Sequence, residues 1–271
     1  MMKDSRLTII MVSCDDYSDM WSDFFKLKEM NWADCPFETV LANNVKNYQN
    51  NSVRVINCGL DAVWSKRTRT ALEQIESKYV CFMLEDYFIS DKVDTFAICK
   101  ALNLMDLKGI KYYKLLSFSK IKTPYYDAED GVRIIPDNLR YGISLQPAIW
   151  DREYFLELIG EEDYNPWVFE VRRIEEAKTK EPPFTVLGLY NERNLLNICH
   201  MVVQGKYIPN ALKKMEKKGY IVDTHKRDLL KGKKLLEHNL KNILEPIITA
   251  FPWVRKIGCF IGIESVELKN K

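Results

Sequence analysis

Continuous apolar runs, not alternating ones, mark the first half of the chain. Leu7–Val12 is the first, and residues 37–42, 53–56 and 79–84 follow. A strand covered on both faces needs no polar alternation, so each run predicts a buried strand of a parallel sheet. Helix-period segments lie between them. Ser18 and Asp19 open residues 20–30, where Trp21, Phe24, Phe25 and Leu27 form one broad face. Residues 64–76 predict a second helix, with Ser65 as an early cap and Leu72 and Ile75 facing inward. Strands alternating with helices favour a right-handed parallel α/β sheet.

The pattern loosens further on. Asp91 is expected to cap a helix over 92–105, and residues 112–118 predict a strand. Residues 119–140 read as a loop with a small hairpin around 132–135, and residues 144–150 as a strand. Asp151 caps a helix over 152–159. Asn165 followed by Pro166 is a strong helix start, predicting a helix to Lys178 with Trp167, Glu170, Val171 and Ile174 on one face. Residues 180–183 are a break. Short strands are expected over 184–189 and 198–203, and residues 206–241 are helical in pattern.

The chemistry sits where strands end. Ligands of open α/β sheets bind at the carboxyl ends of strands. The fourth run there meets Glu85 and Asp86, two adjacent acids that cost free energy unless something pairs with them. Ser13, Cys14, Asp15 and Asp16 follow the first run, and carboxylates there suit ribose hydroxyls or base N–H groups. Asn43 and Asn44 follow the second. Arg67 and Arg69 lie in the first turns of the helix before the acidic strand. Glu170, between a tryptophan and an apolar face, is a further acid candidate. Each has a plainer reading: a capping turn for Asp15, loop positions for Asn43 and Asn44, helix packing for Trp64 and Arg67, and a pairing with Arg172 or Arg173 for Glu170. Gln146 and Trp150 could be core, Lys206 a solvated hairpin lysine, and His200 structural.

Composition narrows the classes. Of 271 residues, 46% are apolar and 29% charged, with a net charge of +2, which suits a chain with a substantial core and points to no charged partner. The seven cysteines are scattered without C-x-x-C spacing, so reduced thiols in a cytoplasmic protein are expected. The three histidines form no H-E-x-x-H pair, and neither a G-x-G-x-x-G nor a G-x-x-x-x-G-K-[ST] loop is present. Zinc hydrolase, usual dinucleotide-binding and P-loop readings lose their support. The run Leu7–Val12 is too short for a signal-peptide core with its cleavage site, and no apolar run reaches membrane-spanning length.

Taken in order, residues 12–17, 64–67, 84–88, 144–150 and 167–170, with Gly205-Lys206 more weakly, resemble the nucleotide-sugar glycosyltransferases of the GT-A fold. The resemblance lies in particular with bacterial enzymes of capsule and surface-polysaccharide synthesis. It implies a Rossmann-like α/β fold, mixed and mainly parallel, flanked by helices. It also implies a domain over 1–206 with a nucleotide-sugar half (1–118) and an acceptor half (119–206), and a helical basic extension over 207–271 packed on it. Leu84-Glu85-Asp86 takes the place of the family's D-x-D region, although its acids are adjacent. Asp86 is then the position for a divalent cation (Mn²⁺ or Mg²⁺) or the donor ribose. Ser13, Asp15, Asn43, Trp64, Arg67 and Glu85 become neighbours of the nucleotide sugar, Gln146, Trp150, Trp167 and Lys206 of the acceptor, and Glu170 the catalytic base. A single base without a nucleophile implies inversion, with a saccharide or lipid-linked oligosaccharide as acceptor.

Two alternatives stay open: a nucleotidyltransferase, which would need a Gly-rich loop after the first strand, and a non-catalytic saccharide- or nucleotide-binding module. Nucleic acid is not an expected partner, because the sheet ends are acidic. Between Lys206 and Lys241 stand eleven Lys or Arg against the acids Glu216, Asp223, Asp228 and Glu237. Followed by apolar-aromatic pieces at 243–248, 251–254 and 257–263, this segment could rest peripherally on an anionic membrane, at the inner face of the plasma membrane.

Overall fold

The structure is a computed structural model that describes residues 3–118, 121–180 and 186–240. The apolar-aromatic pieces beyond 241, and the first residues of the strand expected from 184, lie outside the described residues. The first half alternates as the pattern predicts: β1 (Leu7–Val12), α1 (Ser18–Asn31), β2 (Glu38–Asn43), β3 (Arg54–Asn57), α2 (Trp64–Glu73) and β4 (Tyr79–Met83). β1 pairs in parallel with both β2 and β4, and β2 with β3. β1 and β4 are buried along their whole length, which is why neither alternates.

The second half adds β5 (Tyr87–Ile89), α3 (Thr95–Lys108), β6 (Tyr112–Lys114), β7 (Tyr125–Asp127), β8 (Val132–Pro136), β9 (Ala148–Asp151), α4 (Arg152–Ile159), α5 (Pro166–Thr179), β10 (Val186–Asn191) and β11 (Ile198–His200). The main sheet has nine strands in the order β3-β2-β1-β4-β9-β6-β10-β8-β7. β9 is antiparallel to both β4 and β6, β10 is parallel to β6, and β8 is antiparallel to β10 and β7. Following these pairings, only β8 and β9 run against the other strands. The sheet is therefore mixed and mainly parallel with flanking helices, the α/β class the sequence predicts. β5 leaves the main sheet and pairs antiparallel with β11.

Side-chain caps set the starts of α3, α4 and α5. The Asn165 side chain accepts from the N–H groups of Trp167 and Val168, with Pro166 in the first turn of α5. Asp151 accepts from Tyr154 N–H at the start of α4. The cap of α3 is a correction: Asp94, not Asp91, accepts from Ala97 N–H, so the helix starts later than expected. β10 crosses β6 where only glycine fits. A Cβ on Gly188 would lie 2.7 Å from the Tyr112 carbonyl oxygen and 2.9 Å from its ring. Between the sheet and α4 and α5 sits an aromatic core. Trp150 stacks on Phe155 at 4.3 Å, Tyr112 meets Trp150 at 4.5 Å, and Trp64 packs edge-on against Phe82 and Phe169.

The chain divides into two compact units, the first ending at His200 and the second holding Phe118 and the residues from Met201 onward. The second carries β12 (Val202–Val203), β13 (Lys206–Tyr207) and α6 (Pro209–Lys217). The continuous basic helix expected over 206–241 is corrected. α6 is short, residues 218–231 are not helical, and residues 232–240 are. Gly219, at φ +80°, takes the left-handed conformation that ends a helical run.

Candidate active site

The strands that point the same way end at one rim of the sheet, and the candidate acids gather there. Ser13 follows β1, Asn43 ends β2, and Glu85 and Asp86 follow β4. Ser13 is buried, and its hydroxyl accepts from the Trp21 indole N–H at 2.8 Å. The Asp15 carboxylate accepts from the backbone N–H groups of Val45 and Lys46, both at 3.2 Å, which ties the loop after β1 to the loop after β2. Asn44 donates to the carbonyls of Gly59, Leu60 and Ala62 and so anchors the loop before α2. Asn43 donates to the Lys46 carbonyl at 2.5 Å, while its own Oδ1 is buried with no hydrogen-bond partner among the described residues. Polar side chains bonded to backbone thus hold these loops together.

Arg67, in the first turn of α2, donates to the Ala62 carbonyl. Burial pulls its pKa down, and the nearby Cys14, Glu85, Cys58 and Asp15 oppose that. Glu85 is its acidic counterpart. Burial and the neighbouring Asp86 charge raise its carboxyl well above the ordinary range, which Ser13 and Arg67 only partly offset. Asp86 is 9% exposed, and its Oδ2 lies 2.6 Å from His200 Nε2. Burial alone would lower His200, but the bond to Asp86 and its charge outweigh that and raise it. The His200 ring also packs edge-on to Tyr87 at 5.6 Å. His200 thus contacts the candidate acid Asp86 directly. β11 brings it beside β5 through an antiparallel pairing that no local signal announces.

Glu170 stands on the first turns of α5. Its Oε1 accepts from Leu145 N–H at 2.7 Å, while its Oε2 is buried with no hydrogen-bond partner among the described residues. Burial pushes its carboxyl up to about 7, against the Leu145 bond and the Lys114 charge. The expected pairing with Arg172 or Arg173 is not made: Arg172 pairs with Glu162 and Arg173 with Glu176. Lys114, unmarked in the sequence reading, is 2% exposed at the end of β6. Burial and then the charges of Asp86, Glu170 and Glu85 raise the Tyr87 hydroxyl.

Other expected contacts fall elsewhere. Trp150 is fully buried and Trp64 is 5% exposed, so both serve the core and neither offers a face to a sugar. Trp167 lies on the same side of α5 as Ile174 but at the start of the helix, where it is 57% exposed, while α5 buries Phe169, Ile174 and Ala177. Gln146 is exposed in the loop before β9. Lys206 belongs to the second unit, where it pairs with Asp228 at 3.1 Å.

Among the described residues no three His, Cys, Asp or Glu side chains are grouped to enclose a metal ion. Mg²⁺ takes as few as one or two protein carboxylates and completes its shell with substrate phosphates and water, and Asp86 and Glu85 are two adjacent carboxylates at this rim. Among the described residues no helix is long and apolar enough to cross a membrane.

No protein-family model and no curated protein matches the chain. Solved structures give distant likenesses. TarS 1-349 of S. aureus is 10% identical at a TM-score of 0.40, over 69% of this chain and 60% of that one. A cytidylyltransferase from Leptospira borgpetersenii is 11% identical at 0.41, over 64% and 71%. Mannosyl-3-phosphoglycerate synthase from Rubrobacter xylanophilus is 11% identical at 0.37, over 68% and 64%. The chain thus spans less than two thirds of the TarS fragment. Likenesses at this level carry no conclusion about chemistry.

Proposed function

We propose that this chain is a GT-A glycosyltransferase that moves a sugar from a nucleotide-diphosphate sugar to a saccharide or lipid-linked acceptor with inversion. The observation that carries the reading is a pair of unlike acids at one sheet rim, Glu170 desolvated and Asp86 ion-paired. A general base works best with a pKa near the operating pH. In the reaction the acceptor oxygen attacks the anomeric carbon as its proton passes to Glu170, and the bond from that carbon to the diphosphate breaks. The diphosphate leaves with an added negative charge, and in this reading the Arg67 guanidinium meets it. A divalent cation held by Asp86 and Glu85 would supply further charge neutralisation on that leaving group. Asn43 and Asp15, between β1 and β2, are the nucleoside contacts, and exposed Trp167 and Gln146 are the acceptor contacts.

A role in surface-polysaccharide synthesis, at the inner face of the plasma membrane, is part of the same proposal. The exposed lysines 213, 214, 217 and 218 of the second unit support the membrane contact.

A panel of nucleotide sugars, assayed for nucleoside-diphosphate release with and without Mn²⁺ and a mixed saccharide acceptor pool, tests the reading. Acceptor-dependent release from one donor is expected. Thermal stabilisation by a nucleotide without release from any donor would favour the binding-module alternative. Pyrophosphate release from a nucleoside triphosphate would favour a nucleotidyltransferase.

A further inference from the structure

We propose that Lys114 is a positioning residue for Glu170, its buried ammonium serving as the counter-charge that lets the base stay ionised in a dry site. The proposal rests on Glu170 being the base. β6 runs in the direction of β4, so its last residue, Lys114, lies at the rim where β1, β2 and β4 end. Lys114 is in register with Ala148, and Tyr112, two residues earlier and therefore on the same face, is in register with Trp150. That face is the one covered by α4 and α5, because Trp150 packs against Phe155 and Phe169. Phe169 adjoins Glu170. Ala148, with a small side chain, is the residue opposite Lys114 on that face.

The same loop and strand also orient the acid, since Leu145, whose N–H binds Glu170 Oε1, lies three residues before Ala148. Other titratable groups facing Glu170 are the Tyr87 hydroxyl from β5 and the Tyr112 hydroxyl from β6, both raised by burial and neutral at pH 7. On α5 itself Arg173 is engaged by Glu176. Among the described residues, Lys114 is thus the cation that acts on Glu170. The effect is mutual: burial pushes Lys114 down to about 7, and the Glu170 charge holds it up.

Carbon-13 NMR of glutamate-labelled protein, with Glu170→Gln assigning the resonance, follows this carboxyl without any substrate. In Lys114→Met the Glu170 titration is expected about one pH unit higher; an unmoved titration overturns the proposal. Should Lys114→Met fail to fold, lysine-labelled Glu170→Gln reads the same couple from the other side. Lys114 then loses its proton at lower pH, and an unchanged Lys114 titration overturns the proposal. The pH profile of transfer separates the two ideas. An acid limb that moves with the Glu170 titration supports both. A moved titration with an unmoved limb keeps the couple but overturns Glu170 as the base.

Discussion

Asp86 and Glu170 are both acids at the rim of one sheet, yet their surroundings are opposite. Asp86 is held by His200 at 2.6 Å, beside a second carboxylate. Glu170 has one backbone N–H bond, an Oε2 with no hydrogen-bond partner among the described residues, and a buried lysine nearby. A paired carboxylate suits a permanent charge that binds cations or hydroxyls. A desolvated one suits a proton acceptor poised near neutrality. Two carboxylates of similar intrinsic acidity thus sit in different surroundings, one beside an imidazole and one bonded to a backbone N–H.

The largest test of that contrast is Glu170→Gln. It is expected to lower transfer by about 10²–10⁴-fold with nucleotide binding unchanged, read by turnover and by calorimetry. Asp86→Asn is the counterpart. It should weaken nucleotide-diphosphate binding as well as turnover, and chelation should add little further loss. If Asp86→Asn spared nucleotide binding while Glu170→Gln abolished it, the two roles would have to be exchanged. Next comes the scaffold beneath the donor end. Asn44→Ala leaves the Gly59, Leu60 and Ala62 carbonyls short of a donor and should cost about 1–3 kcal/mol in urea unfolding.

The pH dependence of stability sharpens the contrast. Folding raises Glu170 from 4.5 to about 7, so between those values the folded chain holds a proton that the unfolded chain has lost. Its contribution is full below pH 4.5 and fades as pH rises through 7. Thermal melts of Glu170→Gln should lose that slope relative to the parent chain. The smallest effect is expected from Trp167→Ala: exposed and outside the core, it should change acceptor KM a few-fold and leave the melting temperature in place.

Sequence pattern and structure agree where the cause is local. Leu7–Val12 is a strand with the bounds that its unbroken apolar run predicts, because burial on both faces leaves its mark on every residue. Asn165-Pro166 opens its helix for reasons contained in two residues. Glu170 was readable as a partly buried acid from its place on α5 beside Ile174, although Trp167 stays exposed at the helix start and Phe169 turns inward. Lys114 had a signal that could have been used, a lone lysine inside the run Tyr112 to Leu116. Trp150 did not, since a tryptophan in a strand looks the same whether it faces a sugar or a stacked Phe155.

By itself, then, the sequence determined the strand–helix alternation, the mixed α/β class and the acidic end of β4, all consequences of neighbours a few residues apart. Tertiary structure alone decided that His200 meets Asp86, that Lys114 lies at the same rim as Glu170, and that one acid is paired while the other is desolvated. Those outcomes depend on strand order and on the antiparallel placing of β9 and β11. Such pairings join residues far apart in the chain, and a carboxylate's acidity responds to whatever they bring beside it.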